Sequence, residues 1–101
     1  MDPGIPDNVI ISDVVVSTAG RDRDEWFYVI AEDPIYLYLA NGKDRQLDKP
    51  KRKKRKHVQK VLRSETRVAD KLRSGDKVLN SELRRDLAFH VRQMQANNLG
   101  G

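Results

Sequence analysis

Four short β-branched, aromatic or alternating segments follow one another between residues 10 and 47, each closed by a turn. This spacing constrains the fold more than any other feature of the chain. Val14-Val15-Val16 centres a strand over residues 10–17, and the polar stretch from Ala19 to Asp24 turns the chain. Glu25-Trp26-Phe27-Tyr28-Val29-Ile30 reads as a second strand, and Asp33-Pro34 as the next turn. Ile35-Tyr36-Leu37-Tyr38-Leu39 alternates with period two. That period predicts Ile35, Leu37 and Leu39 facing inward, with Tyr36 and Tyr38 together on the opposite face. Asn41-Gly42 is a strong hairpin signal, since both central residues of such a turn need positive φ. Arg45-Gln46-Leu47 is then the returning fourth strand. Short strands at close spacing predict a small all-β barrel or sandwich. The second strand is apolar on both faces, which fits a central, bent strand and leaves open which face is core.

The pattern changes downstream. His57-Val58-Gln59-Lys60-Val61-Leu62 fits a closing strand or a helix start, and is read here as a strand. Ser64-Glu65-Thr66 precedes Val68, Ala69 and Leu72, predicting a short helix that stops at Ser74-Gly75. Asn80 is placed to cap a longer helix carrying Leu83, Leu87, Val91 and Met94 on one stripe. The expected organisation is a leader over 1–9, a β module with a basic run over 10–63, a helical extension over 64–96 and a flexible tail over 97–101. The fold class expected is mostly β with two short C-terminal helices.

Charge is distributed unevenly over the 101 residues. Residues 1–42 hold 2 basic and 8 acidic side chains, residues 43–73 hold 14 and 4, and residues 74–101 hold 4 and 3. At the centre lies Lys51-Arg52-Lys53-Lys54-Arg55-Lys56, six cations in a row, followed by His57. Such a run repels itself, and its natural counterion is a polyanion. An extended run points alternate side chains to opposite sides, so about half can meet one phosphate backbone. With Lys43, Arg45, Lys60 and Arg63 the count reaches about 6 contacts. Affinity is then expected to fall on the order of 10³-fold between 50 and 200 mM salt. The bland reading is a solvated charged segment; an anionic-lipid patch lacks a nearby apolar anchor.

Other classes are narrowed by composition. The chain has no cysteine, which excludes disulfides, thiolate nucleophiles and zinc fingers and fits a reducing, cytoplasmic setting. The first residues, Met1-Asp2-Pro3-Gly4, carry no secretory signature, and no apolar run approaches a membrane span. His57 and His90 show no metal-ligand spacing, and no serine stands in a nucleophile motif. The expectation is no catalysis and no cofactor.

Taken in order, Val14-Val15-Val16-Ser17-Thr18-Ala19-Gly20-Arg21-Asp22, Trp26-Phe27-Tyr28-Val29-Ile30, Asn41-Gly42-Lys43 with Arg45, and Pro50-Lys51 through Lys53, Lys56 and His57 carry a resemblance. The chain resembles the short KOW-domain RNA-binding proteins of bacteria, which are related to KOW-containing large-subunit ribosomal proteins of archaea and eukaryotes. The likeness covers residues 10–60, and Leu79–Arg84 resembles the helical extension of such proteins less specifically. It implies an SH3-like barrel that binds RNA, with Gly20 and Arg21 in the KOW loop and Lys51, Lys53, Lys56 and His57 in the basic signature. Members usually carry a second Gly where this chain has Asp24. Asp tolerates the left-handed region better than most residues but adds a side chain and a charge.

The remaining candidates have two readings each. Tyr36, Tyr38, Trp26 and Tyr28 are stacking platforms for bases or, more ordinarily, core residues. Arg21 and Arg23 reach phosphate or are neutralised by Asp22 and Asp24. His57 meets a base or phosphate, or is a partly buried strand histidine. Leu83, Leu87, Val91 and Met94 dock a ribosomal or transcription protein, or pack on their own domain. The leading expectation is a non-catalytic protein binding structured ribosomal RNA or acting as a ribosome-associated translation factor. The alternative is a protein-docking KOW module in transcription elongation or ribosome assembly, and DNA binding comes third.

Overall fold

The computed structural model describes the backbone of residues 8–100, with side chains through Asn97. Five strands and two helices follow in chain order: β1 (Asp13–Ser17), β2 (Trp26–Glu32), β3 (Tyr36–Ala40), β4 (Lys51–Lys54), β5 (Val58–Arg63), α1 (Arg67–Ser74) and α2 (Asn80–Gly100). The strands form one antiparallel sheet in the order β4-β3-β2-β1-β5, which is not closed.

The sheet is nevertheless strongly curled. Its edge strands β4 and β5 are joined only by a 3₁₀ turn, Arg55–His57. Four inter-strand spacings would separate the edges of a flat sheet by ~19 Å. The linker reaches ~14 Å at most. Register shifts between Val14 and Val15 and between Val29 and Ala31 supply local bends, and the second is the bend expected in β2.

Curling gives the sheet two apolar faces. Inside lie Val9, Val15, Phe27, Val29, Leu37, Leu39 and Val58. On the outer face Val14, Tyr28 and Ala40 pack against Val68 of α1 and Leu83 and Leu87 of α2. Both faces of β2 are therefore core, which resolves its unbroken apolar pattern. Burial of each large side chain contributes about 1.5–3 kcal/mol.

Several boundaries differ from expectation. Residues 1–7 of the expected leader and Gly101 lie outside the described residues, but Val9 is a core residue at 1% exposure. Ile35 does not face inward: it precedes β3 in a bend and is 59% exposed. Asn41-Gly42 does not form a two-residue hairpin, and Arg45-Gln46-Leu47 is not a strand. Residues 41–50 form a loop instead, and the returning strand is β4, inside the basic run. Asn41 Oδ1 accepts the amides of Lys43 and Arg45 at 2.9 and 3.0 Å and so folds the loop on itself. Gly42, at φ 78°, lets it lie against α2, where an added Cβ would stand 2.3 Å from the Asn80 carbonyl oxygen.

The helix signals mostly hold. Thr66 caps α1 by accepting the Ala69 amide, and Gly75 ends it at φ 80°. Asn80 is not the cap of α2. Leu79 holds that position: its carbonyl accepts the Leu83 amide, and its amide donates to Glu82 Oε1 at 2.9 Å. Asn80 Oδ1 instead accepts the Leu47 amide at 2.8 Å, tying the 41–50 loop to the helix. The helix, expected to end near residue 96, runs to Gly100.

Candidate nucleic-acid interface

The loop between β1 and β2 is built around one buried carboxylate. Gly20 and Asp24 both take positive φ, 89° and 75°. Asp24 thus adopts a left-handed backbone that glycine would take without strain, and its amide donates to the Ser17 carbonyl at 2.8 Å. The turn directs Asp22 inward, where it is 7% exposed. Its Oδ1 accepts from Ser17 Oγ at 2.7 Å and from Lys53 Nζ at 2.5 Å, while Lys51 Nζ stands 2.6 Å from Oδ2. Lys53 also donates to the Ala19 carbonyl at 2.7 Å. Burial alone would raise the Asp22 pKa, but the bonds from Lys51, Lys53 and Ser17 overcome it and hold the carboxyl well below its usual range. Gly20 suits this turn because its φ of 89° is one that L side chains rarely adopt.

The alternation of β4 therefore splits the basic run. Lys51 and Lys53 pair in register with Leu39 and Leu37 and point inward, to Asp22. They clamp the loop and do not belong to an exposed cationic strip, which corrects their expected role. Arg52 and Lys54, in register with Tyr38 and Tyr36, point outward and are exposed. The Arg52 guanidinium lies 4.4 Å above the Tyr36 ring. Tyr38 donates to Asp33 Oδ2 at 3.1 Å. Asp33 is held below its ordinary pKa first by the Tyr36 amide, then by the Ile35 amide. The helices cover Ala40 on this face but leave Tyr36 and Tyr38 half-exposed.

After β4 the cations again divide. Arg55 is bound to Glu32 at 2.6 Å and to the carbonyls of Asp33 and Val9, both at 2.9 Å, so it fixes the 3₁₀ turn. Lys56 is exposed and His57 half-buried, its carbonyl accepting the Thr18 amide at 2.9 Å. Arg21 and Arg23 are exposed and, among the described residues, form no ion pair; Asp22 is committed elsewhere. Lys60 and Arg63 lie 3.3 and 3.6 Å from the fully buried Asp13, and Arg63 stays exposed. Lys43 and Arg45 remain exposed in the 41–50 loop.

Leu83 and Leu87 are core. Val91 and Met94 are half-buried and line a groove of about 590 Å³ with Trp26, Lys43 and Arg84.

One cluster gave no signal in the sequence. Tyr28 donates to Asp86 across a very short contact, and Thr66 Oγ1 donates to the same carboxylate at 2.9 Å. Ser64 Oγ lies 2.9 Å from His90 Nε2 and 2.8 Å from the Tyr28 phenol oxygen, whose one proton goes to Asp86. The fold thus brings Ser64 to a histidine that lies 26 residues away in sequence. The arrangement is not a nucleophile: Ser64 is fully buried, and its neighbours Tyr28 and Asp86 both meet the same histidine nitrogen, at 3.0 and 3.4 Å. Burial lowers the His90 pKa against the pull of Asp86 and keeps the ring neutral at pH 7, while burial and then Asp86 push the Tyr28 phenol up. The cluster locks α2 to the sheet and to the β5–α1 corner.

Among the described residues no group of His, Cys, Asp and Glu is arranged to hold a metal ion, and no helix is long and apolar enough to cross a membrane. In comparisons with known proteins, no family model and no curated protein matches the chain.

Proposed function

We propose that this chain is a non-catalytic, KOW-type RNA-binding protein of the cytoplasm whose curled sheet serves as an SH3-like barrel. Its ligand is structured ribosomal RNA or RNA met on the ribosome. The observation that carries this reading is the outer face of β4: Arg52 and Lys54 project to solvent beside Tyr36 and Tyr38, with Lys56 following. Cations for phosphate stand next to aromatic faces for unpaired bases, the combination that RNA-binding β modules use. Arg21 and Arg23 extend the cationic surface from the β1–β2 loop. The barrel positions these groups, and no bond-making step is involved.

The test is salt-dependent binding to a ribosomal RNA fragment with duplex DNA as competitor. Arg52→Glu/Lys54→Glu/Lys56→Glu, which avoids the buried clamp, is expected to abolish RNA binding while the protein stays folded. Unchanged binding by that variant, or equal competition by DNA, would refute the reading. The groove beside Trp26, Val91 and Met94 favours the protein-docking alternative, whose interface would hold at high salt.

A further inference from the structure

A second cationic and aromatic cluster lies on α2, outside the β4 face. Arg85, Phe89 and Arg92 follow at i, i+4 and i+7 and form one exposed row. The row borders a cavity of about 360 Å³ between the helices, completed by Val68, Glu82 and Asp86. Phe89 is 42% exposed, and its ring stands edge-on to the buried His90 imidazole, with centroids 5.4 Å apart at 61°.

The charge balance of this cavity is not what its residue count suggests. Glu82 is spent on the Lys71 ammonium and the Leu79 amide, both at 2.9 Å. Asp86 keeps its charge, its Oδ2 engaged by the hydroxyls of Tyr28 and Thr66, so with Glu82 paired to Lys71 the two arginines leave positive charge in excess by one. Arg85 and Arg92 form no ion pair among the described residues. What the cavity offers a ligand is an apolar ring bracketed by two guanidiniums, about 6 Å to one side along the helix axis and about 4.5 Å to the other. This matches an unpaired nucleotide, with a π-face for the ring and phosphates to either side.

We propose that Arg85, Phe89 and Arg92 form a second nucleic-acid contact, which takes an unpaired nucleotide of the RNA held by the β4 face. It rests on the RNA-binding reading above. The full chain is titrated with a labelled single-stranded RNA and with the same strand annealed to its complement. Phe89→Leu, which keeps apolar area but removes the ring, weakens single-strand binding about ten-fold and leaves duplex binding unchanged. Arg85→Ala/Arg92→Ala lowers the single-strand salt slope by about 1.4, from about 0.7 per cation. Arg52→Ala/Lys54→Ala is the reference for the β4 face, and melting curves confirm each fold. Unaltered binding by both α2 variants, while the reference loses affinity, overturns the α2 contact alone. Polyglutamate that competes as well as RNA, in a manner abolished by the arginine pair, reassigns the row to an acidic protein and also overturns it. A wild-type chain that binds no RNA removes this contact together with the parent reading.

Discussion

Lys53 and Lys54 are neighbours of the same type in the same basic run, and the structure predicts opposite consequences for losing them. Lys53→Met removes the ammonium 2.5 Å from Asp22 Oδ1 and keeps a side chain of similar length. Lys53 and Asp22 side chains are 8% and 10% exposed, so solvent does not screen the loss. Breaking a buried pair from one side costs about 3–5 kcal/mol. Lys51 and Ser17 still hold Asp22, which brings the expected cost down to about 2–3 kcal/mol. For a domain of this size that lowers Tm by roughly 10–20 °C. Lys54→Met, at an exposed outward position, should change stability by less than about 0.5 kcal/mol and act on RNA affinity instead. Thermal unfolding followed by Trp26 fluorescence or circular dichroism reads the first effect, and a salt-dependent binding titration reads the second. The double variant Asp22→Asn/Lys53→Met should recover part of the lost Tm, since it removes both members of the pair. Equal melting of Lys53→Met and Lys54→Met would refute the division of the run into clamp and contact.

Two further outcomes follow from the same geometry. His90 has a folded-state pKa below its ordinary 6.5, so the unfolded chain binds the proton more readily; stability is full above pH 6.5 and falls as pH drops through the folded pKa. Urea midpoints measured from pH 7.5 to 5 should decline for the wild type and flatten for His90→Gln. Gly42→Ala should destabilise by about 2 kcal/mol or more, because φ is 78° and the new Cβ meets the Asn80 carbonyl oxygen at 2.3 Å; a melting curve that overlays the wild type would contradict the tight docking of the 41–50 loop on α2.

The sequence by itself determined the local elements whose signals are short-range. The β-branched run of β1, the aromatic run of β2, the alternation at Leu37 and Leu39, and the Thr66 and Gly75 boundaries of α1 were legible because propensity and period act within a few residues. Tertiary structure decided what depended on distant partners. Nothing local marks Lys51–Lys54 as a strand, since lysine is a poor strand former; pairing with β3 makes it one. That pairing also decides which cations face solvent, because Asp22, about thirty residues away in sequence, draws Lys51 and Lys53 to the inner side. Tyr28, Ser64, Asp86 and His90 come from separate elements and share no spacing. A charge run in a sequence therefore reports how much positive potential a chain carries. Which side chains present it is fixed by the pleat of one edge strand and by a carboxylate too costly to bury alone.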